Sequence, residues 1–128
     1  MKIVAAPNAF KGSLTASEAA IAMEAGIRKI LPNAEVVRVP VADGGDGLVE
    51  VAVEALNGEI HTLQVRGPRN SPVLANYCYV KAKDLVAVEM ALAGGLSLLP
   101  HNLQDPTLTT TFGTVSYTHL TLPTNREV

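Results

Sequence analysis

A chain of 128 residues, 48% hydrophobic and 17% charged, holds one modest core and is not a disordered polymer. A net charge of −2 excludes the basic surface that recruits nucleic acid. The single cysteine, Cys78, excludes an internal disulfide framework and fits a reducing compartment. No apolar run reaches the roughly 18 residues of a membrane span. The N-terminal run, broken by Pro7, lacks a signal-peptide profile. The expected location is cytoplasmic, with no membrane partner.

Lys2–Ala6 is a short apolar run and reads as a buried, parallel strand. "PNAFKGSL" follows as a loop with turn chemistry. Thr15 and Glu18 form a capping-box pattern that opens a helix, with Ala16, Ala20, Met23, Ile27, Ile30 and Leu31 on one face. Glu24 and Arg28 are spaced to pair, and Pro32-Asn33 end the helix. "AEVVRVPVA" is the second strand, with Pro40 near its end. Leu48, Val51, Ala52 and Ala55 predict a second amphipathic helix, stopped at Asn57-Gly58. The order β-α-β-α implies a parallel sheet with helices packed on it.

The texture changes near residue 60. "EIHTLQVRG", "SPVLANYCYVKA" and "DLVAVEM" read as successive strands with turns at Gly67-Pro68 and near Lys83-Asp84, suited to antiparallel pairing. "ALAGGLSLLP" reads as a short helix interrupted by Gly94-Gly95, and "DPTLTTTFGT" as a hydroxyl-rich loop. A second α/β unit is expected to start there.

Four places carry groups suited to chemistry. In parallel α/β sheets ligands bind at the carboxyl ends of strands. The first βα loop there offers Lys11, Gly12 and Ser13: a cation, a close backbone approach and a hydroxyl at a helix N-terminus. It is neither a Walker A loop nor G-x-G-x-x-G, and an ordinary turn with an exposed lysine remains open. The second βα loop is Asp43-Gly44-Gly45-Asp46-Gly47. An N-cap at Asp46 needs only one acid; two acids among three glycines allow a ligand to approach and a carboxylate to meet its hydroxyl. An EF-hand is excluded, because glycines occupy ligand positions. Glu89 follows an apolar strand and precedes a glycine pair, either as a site acid or as a helix N-terminal acid. Thr107–Thr114 supplies hydroxyls and Gly113, and by itself reads as a solvated loop. His61, His101 and His119 lack metal-ligand spacing.

Taken in order, "APNAFKGSLTA" (6–16), "PVADGGDGL" (40–48), "EMALAGGLSLL" (89–99) and "DPTLTTTFGT" (105–114) resemble the glycerate kinase family of the bacterial glycerate 2-kinase type. That resemblance implies ATP-dependent phosphorylation of glycerate to phosphoglycerate, with Mg²⁺ as the usual cation. It implies two α/β domains: a Rossmann- or flavodoxin-like domain begun by residues 1–60, and a second, inserted domain begun by 61–114. Carried over by motif, Lys11 and Ser13 face phosphates or the glycerate carboxylate, and Asp43 orients or deprotonates the attacking hydroxyl or holds Mg²⁺. Asp46 supports it, Gly12, Gly44, Gly45 and Gly47 allow close approach, and Glu89 and Thr111 line the cleft from the second domain.

The chain departs from the family pattern at Asn8 and Ala9, where Asp and Ser are common, at Asp46 for Glu and at Leu48 for Thr. After Thr114 the family continues into a helix, whereas residues 115–128 carry Pro123 and no helical stripe. They read as a foreign tail, similar to translated adapter read-through. On this reading the fold is incomplete and the chain alone inactive. The alternatives are a non-catalytic module that binds a small organic acid or phosphate, and an interaction domain using an exposed sheet edge. The oligomeric state is left open.

Overall fold

The computed structural model describes residues 1–119. Its strands and helices run β1 (Lys2–Ala5), α1 (Ala16–Ile30), β2 (Glu35–Arg38), α2 (Leu48–Leu56), β3 (Glu59–Arg66), β4 (Pro72–Val80), β5 (Leu85–Val88), α3 (Ala91–Gly94) and α4 (Phe112–Thr118). Single 3-10 turns lie at Lys81–Lys83, Leu96–Leu98 and His101–Leu103. The described residues form two compact units: Met1–Ile60 with Tyr77–Glu89, and His61–Asn76 with the described residues from Met90 on.

In the first unit β1 and β2 pair in parallel, Lys2 opposite Glu35 through Ala5 opposite Arg38, as the β-α-β order implies. Pro40 stops the ladder from continuing as a regular strand. Val39 N still donates to Ala5 O at 2.8 Å and Val41 N to Pro7 O at 3.0 Å. The chain segments beyond β1 and β2 therefore leave side by side.

Helix α1 opens on a complete capping box: Thr15 Oγ1 accepts from Glu18 N at 3.2 Å, and Glu18 Oε2 accepts from Thr15 N at 2.8 Å. It packs on both strands through Ala16, Ala19 and Ala20, which are buried; small side chains let the backbones approach closely. The apolar stripe extends farther than the burial does. Met23 is exposed and Ile30 is 80% exposed, while the buried residues of α1 fall in its first turns. Glu24 pairs with Arg28 at 2.8 Å as its spacing predicts, and also with Arg38 of β2 at 3.2 Å.

Helix α2 ends at Asn57, in the left-handed region at φ 52°, a conformation asparagine tolerates. Its buried residues are Val49 and Ala52. The predicted face of Leu48, Val51, Ala52 and Ala55 is rotated: Ala55 is exposed, and Leu48 and Val51 are half-buried. The helix turns its Val49 side to β5, against which it packs, and periodicity could not specify which of two adjacent stripes faces a strand so distant in sequence.

β3, β4 and β5 lie in that order in a second sheet. β4 and β5 are antiparallel, with Tyr77 opposite Val88 and Val80 opposite Leu85, as expected, joined by a turn in which Asp84 is left-handed at φ 46°. Burial along β4 changes phase. Val73 and Ala75 point inward in the first half, Cys78 and Val80 in the second. The switch falls at Asn76-Tyr77, where the chain passes between units, so no single alternating face exists. Cys78 is fully buried and burial pushes its thiol pKa up; it is an inert core residue.

In the second unit α3 is a short helix followed by a 3-10 turn after Gly95, matching the interrupted helix expected there. The stretch after Thr111 differs from its expected character. Phe112–Thr118 is helical, packs on α3 and buries Tyr117. Residues 115–118, read as lacking a helical stripe, belong to this helix; the remainder of the supposed tail, from residue 120, lies outside the described residues. Among the described residues no helix is long and apolar enough to cross a membrane.

Candidate functional site

The loop after β1 is a compact turn. Phe10 N donates to Leu14 O at 2.9 Å, and Ser13 N and Leu14 N donate to Phe10 O at 2.9 and 3.1 Å. Gly12, at φ +72°, permits the reversal. Lys11, Gly12 and Ser13 are exposed at its tip. Ser13 N and Leu14 N bond inward, and the capping box occupies Thr15 N and Glu18 N. The turn presents the exposed Lys11 and Ser13 side chains at its tip.

The loop after β2 is held by one of its two acids. Asp43 Oδ1 accepts from Gly45 N at 3.1 Å, closing an Asx turn. Gly44 and Gly47 take φ of +93° and +88°, conformations that L side chains rarely adopt, and an added Cβ at either would meet open space. Asp43 and Asp46 are exposed. The N-cap of α2 is Gly47, without a side-chain cap bond, so the simple capping role for Asp46 does not hold. Both acids lie close before a helix N-terminus, where negative charge is favoured. Ser17 Oγ donates to Glu54 Oε2 at 2.6 Å, which ties the start of α1 to α2.

Glu89 sits at the end of β5 and is 3% exposed. Its Oε2 accepts from Val49 N at 3.2 Å, forty residues away in sequence. The sequence reading groups Glu89 with Thr111; the structure places Glu89 in the first unit with both loops, and Thr111 in the second. Nothing in the local pattern around Glu89 signals its bond to α2, which sequence reasoning missed.

Thr111 is exposed and immediately precedes α4. The hydroxyl serving the start of that helix is the neighbouring Thr110, whose Oγ1 accepts from Phe112 N at 3.1 Å. Thr111 lines a cavity of about 590 Å³ with Gly94, Gly95, Gln104, Asp105 and Thr110 among its walls. The Gln104 amide spans that wall, donating to Leu96 O at 3.2 Å and Leu99 O at 3.1 Å. Asp105 accepts from Thr107 Oγ1 at 2.6 Å and Thr107 N at 2.8 Å, and these bonds hold its carboxyl below the ordinary range. No group of three or more His, Cys, Asp or Glu able to hold a metal occurs among the described residues.

The sequence model of the glycerate kinase family matches residues 3–122, a span containing all four motifs. The chain belongs to the glycerate kinase family. It is 44% identical over 112 residues to a glycerate kinase of Halalkalibacterium halodurans, covering 88% of this chain and 30% of that protein. It is 46% identical over 114 residues to glycerate 2-kinase of Escherichia coli, covering 89% of this chain and 30% of that one. The crystal structure of a candidate glycerate kinase 2 from Salmonella typhimurium LT2 superimposes with a TM-score of 0.71 at 43% identity, over 92% of this chain and 32% of that one. This glycerate kinase family chain thus spans about 30% of the length of the relatives it matches. Its mixed α/β architecture, parallel strands included, has a solved counterpart in that family.

Proposed function

We propose that this chain supplies substrate-facing loops of a kinase that transfers the γ-phosphoryl group of ATP to glycerate, giving phosphoglycerate and ADP. The observation carrying the proposal is the pair of βα loops that leave the same end of the parallel β1–β2 pair. One exposes a cation and a hydroxyl; the other exposes acids on a glycine backbone. The relatives bearing the glycerate kinase name, at 44% and 46% identity, support the choice of substrate. Residues 1–60 are read as the opening of a Rossmann- or flavodoxin-like sheet.

In this reading the Lys11 ammonium and the Ser13 hydroxyl hold phosphate oxygens or the glycerate carboxylate. Gly12 lets the turn bring them forward. Asp43, its Oδ1 already fixed by Gly45 N–H, orients the attacking glycerate hydroxyl and accepts its proton. The hydroxyl oxygen forms a bond to the γ-phosphorus as the bond from that phosphorus to the β,γ-bridging oxygen breaks, and ADP leaves. Gly44, Gly45 and Gly47 admit the substrate close to the backbone, and Asp46 adds negative charge beside Asp43. In place of accepting the proton, Asp43 would serve as the one carboxylate ligand of Mg²⁺, with substrate phosphate oxygens and water rather than an all-protein cage. That ion would neutralise phosphate charge when bound.

A chimera tests the reading. Residues 1–114 of this chain replace the matched segment of the E. coli glycerate 2-kinase. Glycerate-dependent ADP formation is expected, and Asp43→Asn lowers kcat by roughly 10²-fold or more, the ordinary contribution of a positioned general base. No glycerate-dependent turnover, with the chimera folded, overturns the substrate. Unchanged kcat in Asp43→Asn removes Asp43 from the chemistry.

A further inference from the structure

We infer that Glu89 is a positioning residue: its carboxylate, delivered from just after β5, caps the N-terminus of α2 from a distance in sequence and holds the Asp43–Gly47 loop in register. The first four N–H groups of any α-helix lack intrahelical acceptors. At α2 the local sequence supplies no side-chain cap, because the N-cap residue is Gly47. Glu50, the acid of the first turn, is exposed. Glu89 fills the gap, accepting from Val49 N at 3.2 Å in a buried setting.

Both partners are 3% exposed. Without Glu89 the Val49 N–H would be a buried donor with no cap; without Val49 the carboxylate would be a buried acid without this bond. Each omission is costly. Among the described residues Glu89 is the one buried polar or charged residue. A carboxylate at a helix N-terminus gains both a charge-assisted hydrogen bond and a favourable dipole.

The consequence reaches the loop through a short relay. Val49 fixes the first turn; Leu48 N donates to Gly45 O at 3.3 Å and Val51 N to Gly47 O at 3.1 Å; Gly45 N in turn donates to Asp43 Oδ1 at 3.1 Å. A loop with three glycines has much backbone freedom to lose, and Glu89 anchors the end of it that is helical. Its effect on catalysis rests on the reading of Asp43 given above. The cap does not, so the test uses no ligand.

Amide hydrogen exchange and backbone order parameters are measured by NMR on the 128-residue chain. In the unsubstituted chain the Val49 amide is expected to be protected, although its position in the helix provides no intrahelical acceptor. Glu89→Ala accelerates its exchange roughly 5- to 30-fold, as for loss of a cap, and lowers order at Gly45–Gly47. Glu89→Gln keeps an acceptor oxygen and retains part of the protection; Glu50→Gln changes neither. Amides of β1, β2 and α1 keep their protection. An unprotected Val49 in the unsubstituted chain overturns the proposal, as does equal Val49 exchange in Glu89→Ala. So does a uniform loss across β1, β2 and α1 in both Glu89 variants, which would make Glu89 a core filler only.

Discussion

Gly113 leaves no room for a methyl group. A Cβ there would overlap the carbonyl oxygen of Arg66 and lie 2.8 Å from its carbonyl carbon. The obstacle is backbone, which cannot swing aside as a long side chain does. Gly113→Ala is therefore expected to destabilise the chain by about 1–3 kcal/mol, as overpacking does, read as a fall in the urea midpoint at unchanged slope. The neighbouring Phe112 ring carries the Arg66 guanidinium over it at 4.8 Å, a further contact that the displacement would disturb. The sequence marks Gly113 only as a glycine in a hydroxyl-rich stretch; its necessity comes from β3 passing beside α4. Asp105 is a residue of a different kind, since its partner Thr107 is two positions away. The Thr107 hydroxyl and N–H, with Arg69 as a lesser influence, lower its pKa in the folded chain. The folded state then binds fewer protons than the unfolded one, so this contribution to stability is present above the ordinary carboxylate range and is lost as pH falls through the folded value. Thr107→Val removes the hydroxyl donor, and the Asp105 titration followed by NMR is expected to move upward, toward the ordinary value. An unmoved midpoint would show that the hydroxyl has no part in it.

The two longer helices of the first unit begin in opposite ways. α1 carries its own start signal, with Thr15 and Glu18 satisfying each other's backbone N–H groups. Thr15→Ala is expected to cost about 0.5–2 kcal/mol of stability in urea unfolding, and Thr15→Ser to retain most of it. That signal was legible because donor and acceptor lie three residues apart. α2 has no such local code, and its cap comes from Glu89. The same distinction separates the correct parts of the helix reading from the incorrect ones. The extents of α1 and α2 follow local punctuation at Pro32 and Asn57. Which stripe is buried follows the neighbours: α2 packs on β5 and buries Val49 and Ala52, and α1 buries only the alanines of its first turns. In β4 the inward face changes midway, because the strand serves two compact units in turn.

At the scale of the whole chain, the β-α-β-α opening, the parallel pair and the antiparallel β4–β5 pair all follow from sequence. Apolar runs, helical spacing and glycine or proline turns are local properties, and each segment carries its own. The four motifs, read in order, carry the family membership, because residue identities at fixed spacing survive without coordinates. Several features needed the folded chain. The turn at Phe10–Leu14 engages the N–H groups of Phe10, Ser13 and Leu14 internally. Asp43 is fixed by Gly45, while Asp46 caps nothing. Glu89 joins the first unit rather than standing with Thr111. The places of the elements and the residues chemically equipped to act are legible along the chain, because both are local properties. Which hydrogen-bonding groups are already used depends on the fold, since a buried donor takes its acceptor from whatever lies within about 3 Å, at any distance along the chain.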